Sequence, residues 1–399
     1  MPRTREYFFR HIAQTSHAPL ELEIERAEGS WIYTVQGHKY LDLISGISVS
    51  NTGHRHPHVV EAIHRQVDKY LHTMVYGEHV QSPQVHFAKK LTGMLPASLD
   101  MVYFTNSGAE AVEGAMKLAK RITGRTHILA FKNDYHGSTQ GALSIMGNEF
   151  FKQAFRPLLP GTGFLDFNSI SSLQQITRQT AAVFAEPVQG EAGVIPGSHE
   201  FIHALRKRCS ETGALLVFDE IQTGFGRTGS LFAFEQYGVI PDMLLCAKGL
   251  GGGMPLGAFI SSAERMKQLS HDPVLGHITT FGGHPVSCAA GLASLEVIES
   301  ERLCAGVAAK TQLFLSLLKH ESILEIRHSG LLLALQFANE AFALQVMLNC
   351  LQQGVITDWF LFNSSSLRLA PPLTINEAEI RFACTVIVKS ISLALDDSN

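Results

Sequence analysis

Four local patterns in this 399-residue chain place reactive side chains where ordinary folding would not need them. Lys248 stands in Leu-Leu-Cys-Ala-Lys-Gly-Leu-Gly-Gly-Gly, at the end of an apolar run and the start of a glycine-rich turn. Burying an ammonium is costly, so an amine held there tends to lose its proton and become a nucleophile. A lysine at a strand end that merely turns out to solvent is the bland alternative. Asp219 ends a fully apolar run, Leu-Leu-Val-Phe-Asp, and needs a cationic partner if it is buried. Gln222, three residues on, can donate to a neighbouring oxygen. A helix cap or a metal ligand would also explain Asp219, although no GxxxxGK[ST] sequence supports the latter. Asn106-Ser-Gly-Ala-Glu-Ala follows an apolar run and opens a helix, so Ser107, Gly108 and Ala109 offer free amides to an anion, or simply a cap. Tyr135, before His136 and Gly137, can stack on a flat ring or sit in the core.

Lys248 lies 29 residues beyond Asp219 (248 − 219), room for one helix and one strand, so both would project from the same sheet edge. An anion site, a stacking ring, a buried carboxylate and a desolvated amine together describe pyridoxal 5′-phosphate. The lysine forms a Schiff base with it, and the carboxylate keeps the pyridine nitrogen protonated.

The elements that must position these groups alternate along the middle of the chain. Buried strands are expected at Met101–Thr105, 128–131, 182–185, Leu215–Asp219, Met243–Cys246 and 258–261. Helical periodicity covers 110–122 and His199–Thr212, with a weaker stretch at 169–179. Continuous apolar strands separated by helices indicate an α/β fold whose parallel sheet is covered on both faces. Such sheets place their chemistry at the carboxyl ends of the strands. The last third changes character, with helices at 285–298 and 303–318, a strand at 331–337, a helix at 342–353, a strand running into Arg368 and a final helix from about 376. That is a compact α+β unit. The opening residues contain a hairpin, 31–35 and 39–43, that could pack on either part. The expected division is residues 1–50 as an N-terminal segment packing with the small domain, 51–290 as a large cofactor-binding domain, and 291–399 as the small domain.

The composition, 45% hydrophobic and 17% charged, is that of a globular protein with a large core, and the low charge suggests a surface covered by a partner subunit. A formal net charge of −4 without any lysine/arginine block argues against a nucleic-acid binder. The six cysteines show no metal-binding or disulfide spacing and read as buried thiols of a reducing compartment. The charged N-terminus and the lack of any long apolar run point to a cytoplasmic protein without a metal or a membrane anchor.

Several motifs carry a resemblance over nearly the whole chain: Asn106-Ser-Gly-Ala-Glu-Ala, Tyr135-His-Gly, Glu186-Pro-Val-Gln-Gly-Glu-Ala-Gly, Phe218-Asp-Glu-Ile-Gln-Thr-Gly-Phe-Gly-Arg-Thr-Gly, Ala247-Lys-Gly and Thr279-Thr-Phe-Gly-Gly-His-Pro. With them the sequence resembles the class III pyridoxal-phosphate aminotransferases of the ornithine, acetylornithine and 4-aminobutyrate type. The resemblance implies fold type I, with a mostly parallel seven-stranded sheet, a small domain built from both chain ends, and a homodimer. By position, Lys248 looks like the Schiff-base lysine, Asp219 the pyridinium partner and Gln222 the contact to the ring oxygen. Tyr135 looks like the stacking ring, Ser107, Gly108 and Ala109 the phosphate cradle, and His136 and Glu186 further cofactor-binding residues. Thr280 looks like a phosphate ligand lent by the other subunit. Glu191 and Arg368 match a gating pair, in which the arginine binds a substrate carboxylate and the glutamate masks it when an ω-amine enters. Ile47 falls at a substrate-binding position.

Two departures bear on substrate. Relatives often carry an arginine directly after His-Gly to grip a second carboxylate, and here that residue is Ser138. Arg227 is a candidate to compensate. Ornithine-specific members have a tyrosine where Ile47 stands, which points away from a strict ornithine enzyme. The expected reaction moves an amino group, from an ω-amine donor, to a keto acid such as 2-oxoglutarate. An aminomutase, racemase or decarboxylase on the same scaffold, a non-catalytic cofactor-binding module, and a nucleotide-binding α/β protein are the competing readings.

Overall fold

A computed structural model describes residues 4–396; residues 1–3 and 397–399, including the start of the charged N-terminal stretch, lie outside the described residues. Its centre is a seven-stranded sheet whose strands follow, in spatial order, Met101–Thr105, Gly257–Ser261, Met243–Cys246, Leu215–Asp219, Thr180–Ala185, His127–Phe131 and Thr162–Leu165. The strands from Met243–Cys246 to Thr162–Leu165 pair in parallel. Gly257–Ser261 runs antiparallel to both neighbours, so the sheet is mostly parallel, as expected, with this one strand reversed. Its approach explains the exception: only residues 247–256 separate it from Met243–Cys246, most of them in a short turn, too few for a crossover helix.

Alternate residues of each central strand enter separate cores. Leu216 and Phe218 join the cluster on one face with Val183, Leu244 and Ile260. Leu215 and Val217 join the other with Phe184, Leu245 and Phe259, against the helix Gly108–Thr123. Both faces being covered is why these strands read as unbroken apolar runs. The edge strand Thr162–Leu165, preceded by Pro-Gly and only half-buried, shows no such run and is absent from the sequence reading. The weak helical stretch at 169–179 shortens to a 3-10 turn, Ser171–Gln175. Ser172 Oγ donates back to the carbonyls of Asp166 and Ser169, the local competition that disfavours helix in serine-rich segments.

The last third folds around an antiparallel sheet of Glu325–Ser329, Leu332–Gln336, Asn363–Leu369 and Asp358–Phe360. The helices Leu303–Leu317, Glu340–Gln352 and Glu377–Asp396 pack with it. The strands Trp31–Thr34 and Lys39–Asp42 form the expected hairpin, joined by Ile24–Glu28. Lys39–Asp42 also pairs in parallel with Val355–Ile356, which decides the hairpin's place. The two ends of the chain therefore share a sheet.

Gly257 shows how closely the sheet edge and the first reactive loop are fitted. It pairs with Thr105, and a Cβ on it would lie 2.2 Å from the carbonyl oxygen of Ser107. Main chain cannot swing aside as a side-chain tip can, so Gly257→Ala is expected to lower unfolding free energy by roughly 1–3 kcal/mol. Chemical denaturation checks this; an unchanged midpoint would mean the Ser107 loop yields freely.

Candidate active site

Four adjacent parallel strands deliver the reactive residues to one edge of the sheet. Lys248 follows Met243–Cys246, Asp219 ends the next strand, Glu186 follows Thr180–Ala185, and Asp134 to His136 follow His127–Phe131. From the far side, Met101–Thr105 leads into Ser107 and the helix Gly108–Thr123. Together they line a cavity of about 410 Å³. Of the residues expected from the sequence, Ser107, Gly108, Ala109, Tyr135, His136, Glu186, Asp219, Gln222 and Lys248 all line it.

The anion end is the helix start. Ser107 caps it by accepting from Glu110 N, which leaves the serine hydroxyl hydrogen free to donate into the cavity. Gly137, at a φ of +124°, passes so close that a Cβ there would lie 2.7 Å from Ala109 Cβ. Only glycine fits that approach without strain, and the resulting gap lies beside the free amides.

Behind the cavity sits a buried charge cluster. His136 Nδ1 lies 2.7 Å from Asp219 Oδ2, while Nε2 is 3.5 Å from Asp134 Oδ2. Burial alone would lower the imidazole pKa, but the Asp134 and Asp219 carboxylates on either side of the ring outweigh it and raise it to about 10. The ring is therefore a cation at neutral pH, and its bond to Asp219 is charge-assisted. Burial pushes the Glu186 carboxyl well above its ordinary value, and the charges of Asp134 and Asp219 push it further. It accepts from Tyr135 N at 3.0 Å and from Gly190 N at 3.3 Å, fixing the loop that presents the tyrosine ring. Asp134 carries no motif in the sequence beyond preceding Tyr135. Burial raises its pKa too, partly offset by His136.

Lys248 adopts a left-handed φ of 49°, uncommon for a side chain, which turns it out of the strand direction. Burial lowers its amine pKa to about 8; Arg368 adds to this, while Glu191, Asp219 and Glu186 oppose it. A substantial neutral fraction is thus present near physiological pH. The donor set fits pyridoxal 5′-phosphate: helix amides and a hydroxyl for the phosphate, a carboxylate for the ring nitrogen, an aromatic ring to stack, an amine for the aldehyde.

The expected gating residues lie one layer deeper. Arg368 Nη2 bonds Glu191 Oε2 at 2.6 Å, both side chains buried, and neither lines the cavity. Arg368 Nε and Nη1 are buried without a hydrogen-bond partner among the described residues, so this guanidinium has unused donors. Glu191 stays ionised, because Arg368 and Lys248 overcome the effect of burial and lower its pKa.

Ile47 also lies off the cavity, in a run from Ser45 to Ser48 that has positive φ throughout. Val49, just after it, supplies the apolar wall instead. Asp42 Oδ1 accepts from Ile44 N and Ser45 N and holds that strained turn. Arg227 cannot replace a carboxylate-binding arginine. It is fully buried and donates to the carbonyls of Leu331 and Pro371, to Ser45 Oγ and to Asn51 Oδ1. Ser138 lines the cavity rim, with its hydroxyl 3.2 Å from that of Tyr135. Thr280 is exposed and outside this cavity; its carbonyl accepts from His72 Nε2. Its neighbour Thr279 accepts from Asn106 Nδ2, a link to the anion loop that spacing could not reveal.

Comparison with known proteins agrees with this geometry. The family model described as aminotransferase class-III matches residues 12–391. The acetylornithine aminotransferase of Archaeoglobus fulgidus is 40% identical over 382 residues, covering 95% of this chain and 98% of its own. A succinylornithine transaminase of Yersinia pseudotuberculosis is 39% identical over 402 residues, covering 95% and 94%. Among solved structures, a transaminase from the marine bacterium Virgibacillus superposes with a TM-score of 0.93 at 28% identity, covering 99% of each chain. The chain thus belongs to the class III aminotransferases, enzymes of fold type I that move amino groups with pyridoxal 5′-phosphate.

Proposed function

We propose that this enzyme takes its amino group from an ω-amine and passes it to 2-oxoglutarate in two half-reactions at one cavity. The observation that carries the reading is the placement of Lys248 and Asp219 at the carboxyl ends of neighbouring parallel strands, on a cavity closed by a helix N-terminus. When bound, the cofactor supplies an electron sink that the side chains themselves lack. Lys248 Nζ would hold the cofactor through its aldehyde and, once freed, would be the amine that accepts and returns the substrate's proton. Asp219, backed by the His136 imidazolium, holds the proton on the ring nitrogen. Tyr135 stacks on the ring, Glu186 fixes the Tyr135 loop, and Ser107, Gly108 and Ala109 receive the phosphate.

Arg368 binds the carboxylate of the keto acid through its unused donors, and Glu191 masks it while an ω-amine occupies the site. Ile47 acts indirectly, by placing Val49. The assembly is a homodimer in which Thr280 reaches the phosphate of the partner. Exposed apolar side chains flanking Thr280 in the chain (Ile278 and Phe281) support a covered face there. The N-terminal helix Thr4–His11, which buries none of its residues in its own chain, supports it as well. The small domain comprises residues 291–399 with the N-terminal strands added, and residues 51–290 form the cofactor domain. A cytoplasmic location fits the free cysteines, five of six of them buried, and among the described residues no helix is long and apolar enough to cross a membrane.

The test is a half-reaction screen of the holoenzyme with ornithine, N-acetylornithine, 4-aminobutyrate, diamines and β-amino acids, following the cofactor's visible absorbance. At least one ω-amine should discharge it and 2-oxoglutarate should restore it. Rearrangement of one substrate without any keto acid would contradict the reading.

Arg368→Met should raise the KM for 2-oxoglutarate roughly a hundredfold, about 3 kcal/mol for a lost bidentate charge contact. The discharge rate with a diamine, which has no carboxylate, should change far less. Steady-state kinetics on both substrates checks this.

Lys248 has a folded pKa near 8, below its ordinary 10.5, so in that window the unfolded chain binds the extra proton and stability rises with pH. Below pH 8 the full penalty applies. Cofactor-free Lys248→Met should therefore be more stable than the unsubstituted protein at pH 7, by up to about 3 kcal/mol. The gap should close between pH 8 and 10.5, as read by denaturant unfolding at several pH values.

A further inference from the structure

Arg368 is only one of three donors that hold the masking glutamate. Glu191 Oε2 also accepts from Leu361 N at 3.0 Å, and its Oε1 accepts from Gln222 Nε2 at 2.8 Å. The carbonyl of Glu191 accepts from Phe362 N, so the turn after Phe360 grips the main chain as well. Of the three donors on the carboxylate, only Gln222 also lines the cavity. Its amide is wedged in place: a Cβ on Gly190 would fall 2.6 Å from Gln222 Oε1, and that oxygen is buried without a hydrogen-bond partner among the described residues.

We propose that Gln222 is a specificity-determining positioning residue, a latch that holds Glu191 over Arg368 and so sets the balance between carboxylate and non-carboxylate substrates. The proposal rests on the reading of Glu191 as the mask of Arg368. Losing the amide removes one charge-assisted bond from the masked state and leaves the unmasked state untouched. Glu191 then swings away more readily. A keto acid finds Arg368 open more often, and a donor without a carboxylate meets a buried guanidinium stripped of its counter-charge.

The experiment compares kcat/KM for 2-oxoglutarate with kcat/KM for 1,4-diaminobutane in the holoenzyme, for Gln222→Leu, Glu191→Ala and the double variant. A general disturbance of the cofactor lowers both values together and leaves their ratio alone. The latch moves the ratio toward 2-oxoglutarate by roughly tenfold, the worth of one hydrogen bond to a charged acceptor. In the Glu191→Ala background, Gln222→Leu then changes the ratio by less than about twofold, since coupled residues are not additive. An unchanged ratio in Gln222→Leu, or a shift that persists without Glu191, overturns the latch. If Glu191→Ala alone leaves the ratio unmoved, the masking reading itself fails, and the latch with it. Should Gln222→Leu not hold cofactor, Gln222→Glu keeps the size and sets an acceptor against Glu191. It must shift the ratio in the same direction, and no shift overturns the proposal.

Discussion

Keeping an amine short of its proton beside several carboxylates is the constraint on which this structure turns. Lys248 is close to Glu191, Asp219 and Glu186, all of which favour its charged form, yet burial leaves its pKa near 8. That outcome needs the negative charge around it to be spoken for. Asp219 faces the His136 imidazolium, Glu191 faces Arg368, and burial holds the Glu186 carboxyl well above its ordinary pKa. Each partner comes from a different strand end or from the small sheet, so the charge balance depends on the whole sheet edge being assembled. A free carboxylate in place of any of these pairs would pull Lys248 back toward its ordinary pKa.

The geometry of the sheet follows from the same need. Parallel strands present their last residues side by side, which is how residues 134–136, 186, 219 and 248 meet despite their separation in sequence. The single antiparallel strand closes the cavity from the opposite direction, with Met254, Pro255 and Leu256 lining it before Gly257 enters the sheet. The small sheet adds a different element. Its strand Asn363–Leu369 carries Arg368, and the turn before it holds Glu191, so the substrate-selecting pair spans two parts of the chain that are 177 residues apart. Motion between them would couple directly to masking.

Much of this was legible in the sequence because buried strands and glycine turns leave local marks. Met101–Thr105, Leu215–Asp219 and Met243–Cys246 match their expected limits, each an apolar run; the two central strands are buried throughout, while the edge strand Met101–Thr105 is only partly so. Lys248 and Asp219 stood out as polar ends of such runs. What escaped depended on non-local partners. Asp134 matters only because His136 lies against it, and Thr279 only because Asn106 reaches it. Arg227 is not available, because both of its terminal nitrogens are held by carbonyls from residues 331 and 371 and by Ser45 and Asn51, none near it in sequence. The sequence marks Gln222 as a donor to a neighbouring oxygen, and only the fold shows that Glu191 supplies one.

Reduction of the holoenzyme with borohydride, followed by proteolysis and peptide mass mapping, bears most directly on whether this amine does the chemistry. The pyridoxyl group should be found on Lys248, fixed there at neutral pH and lost from that peptide when an ω-amine is added before the reductant. A label on another lysine, or none on any, would mean that the charge balance described at this sheet edge serves some purpose other than catalysis.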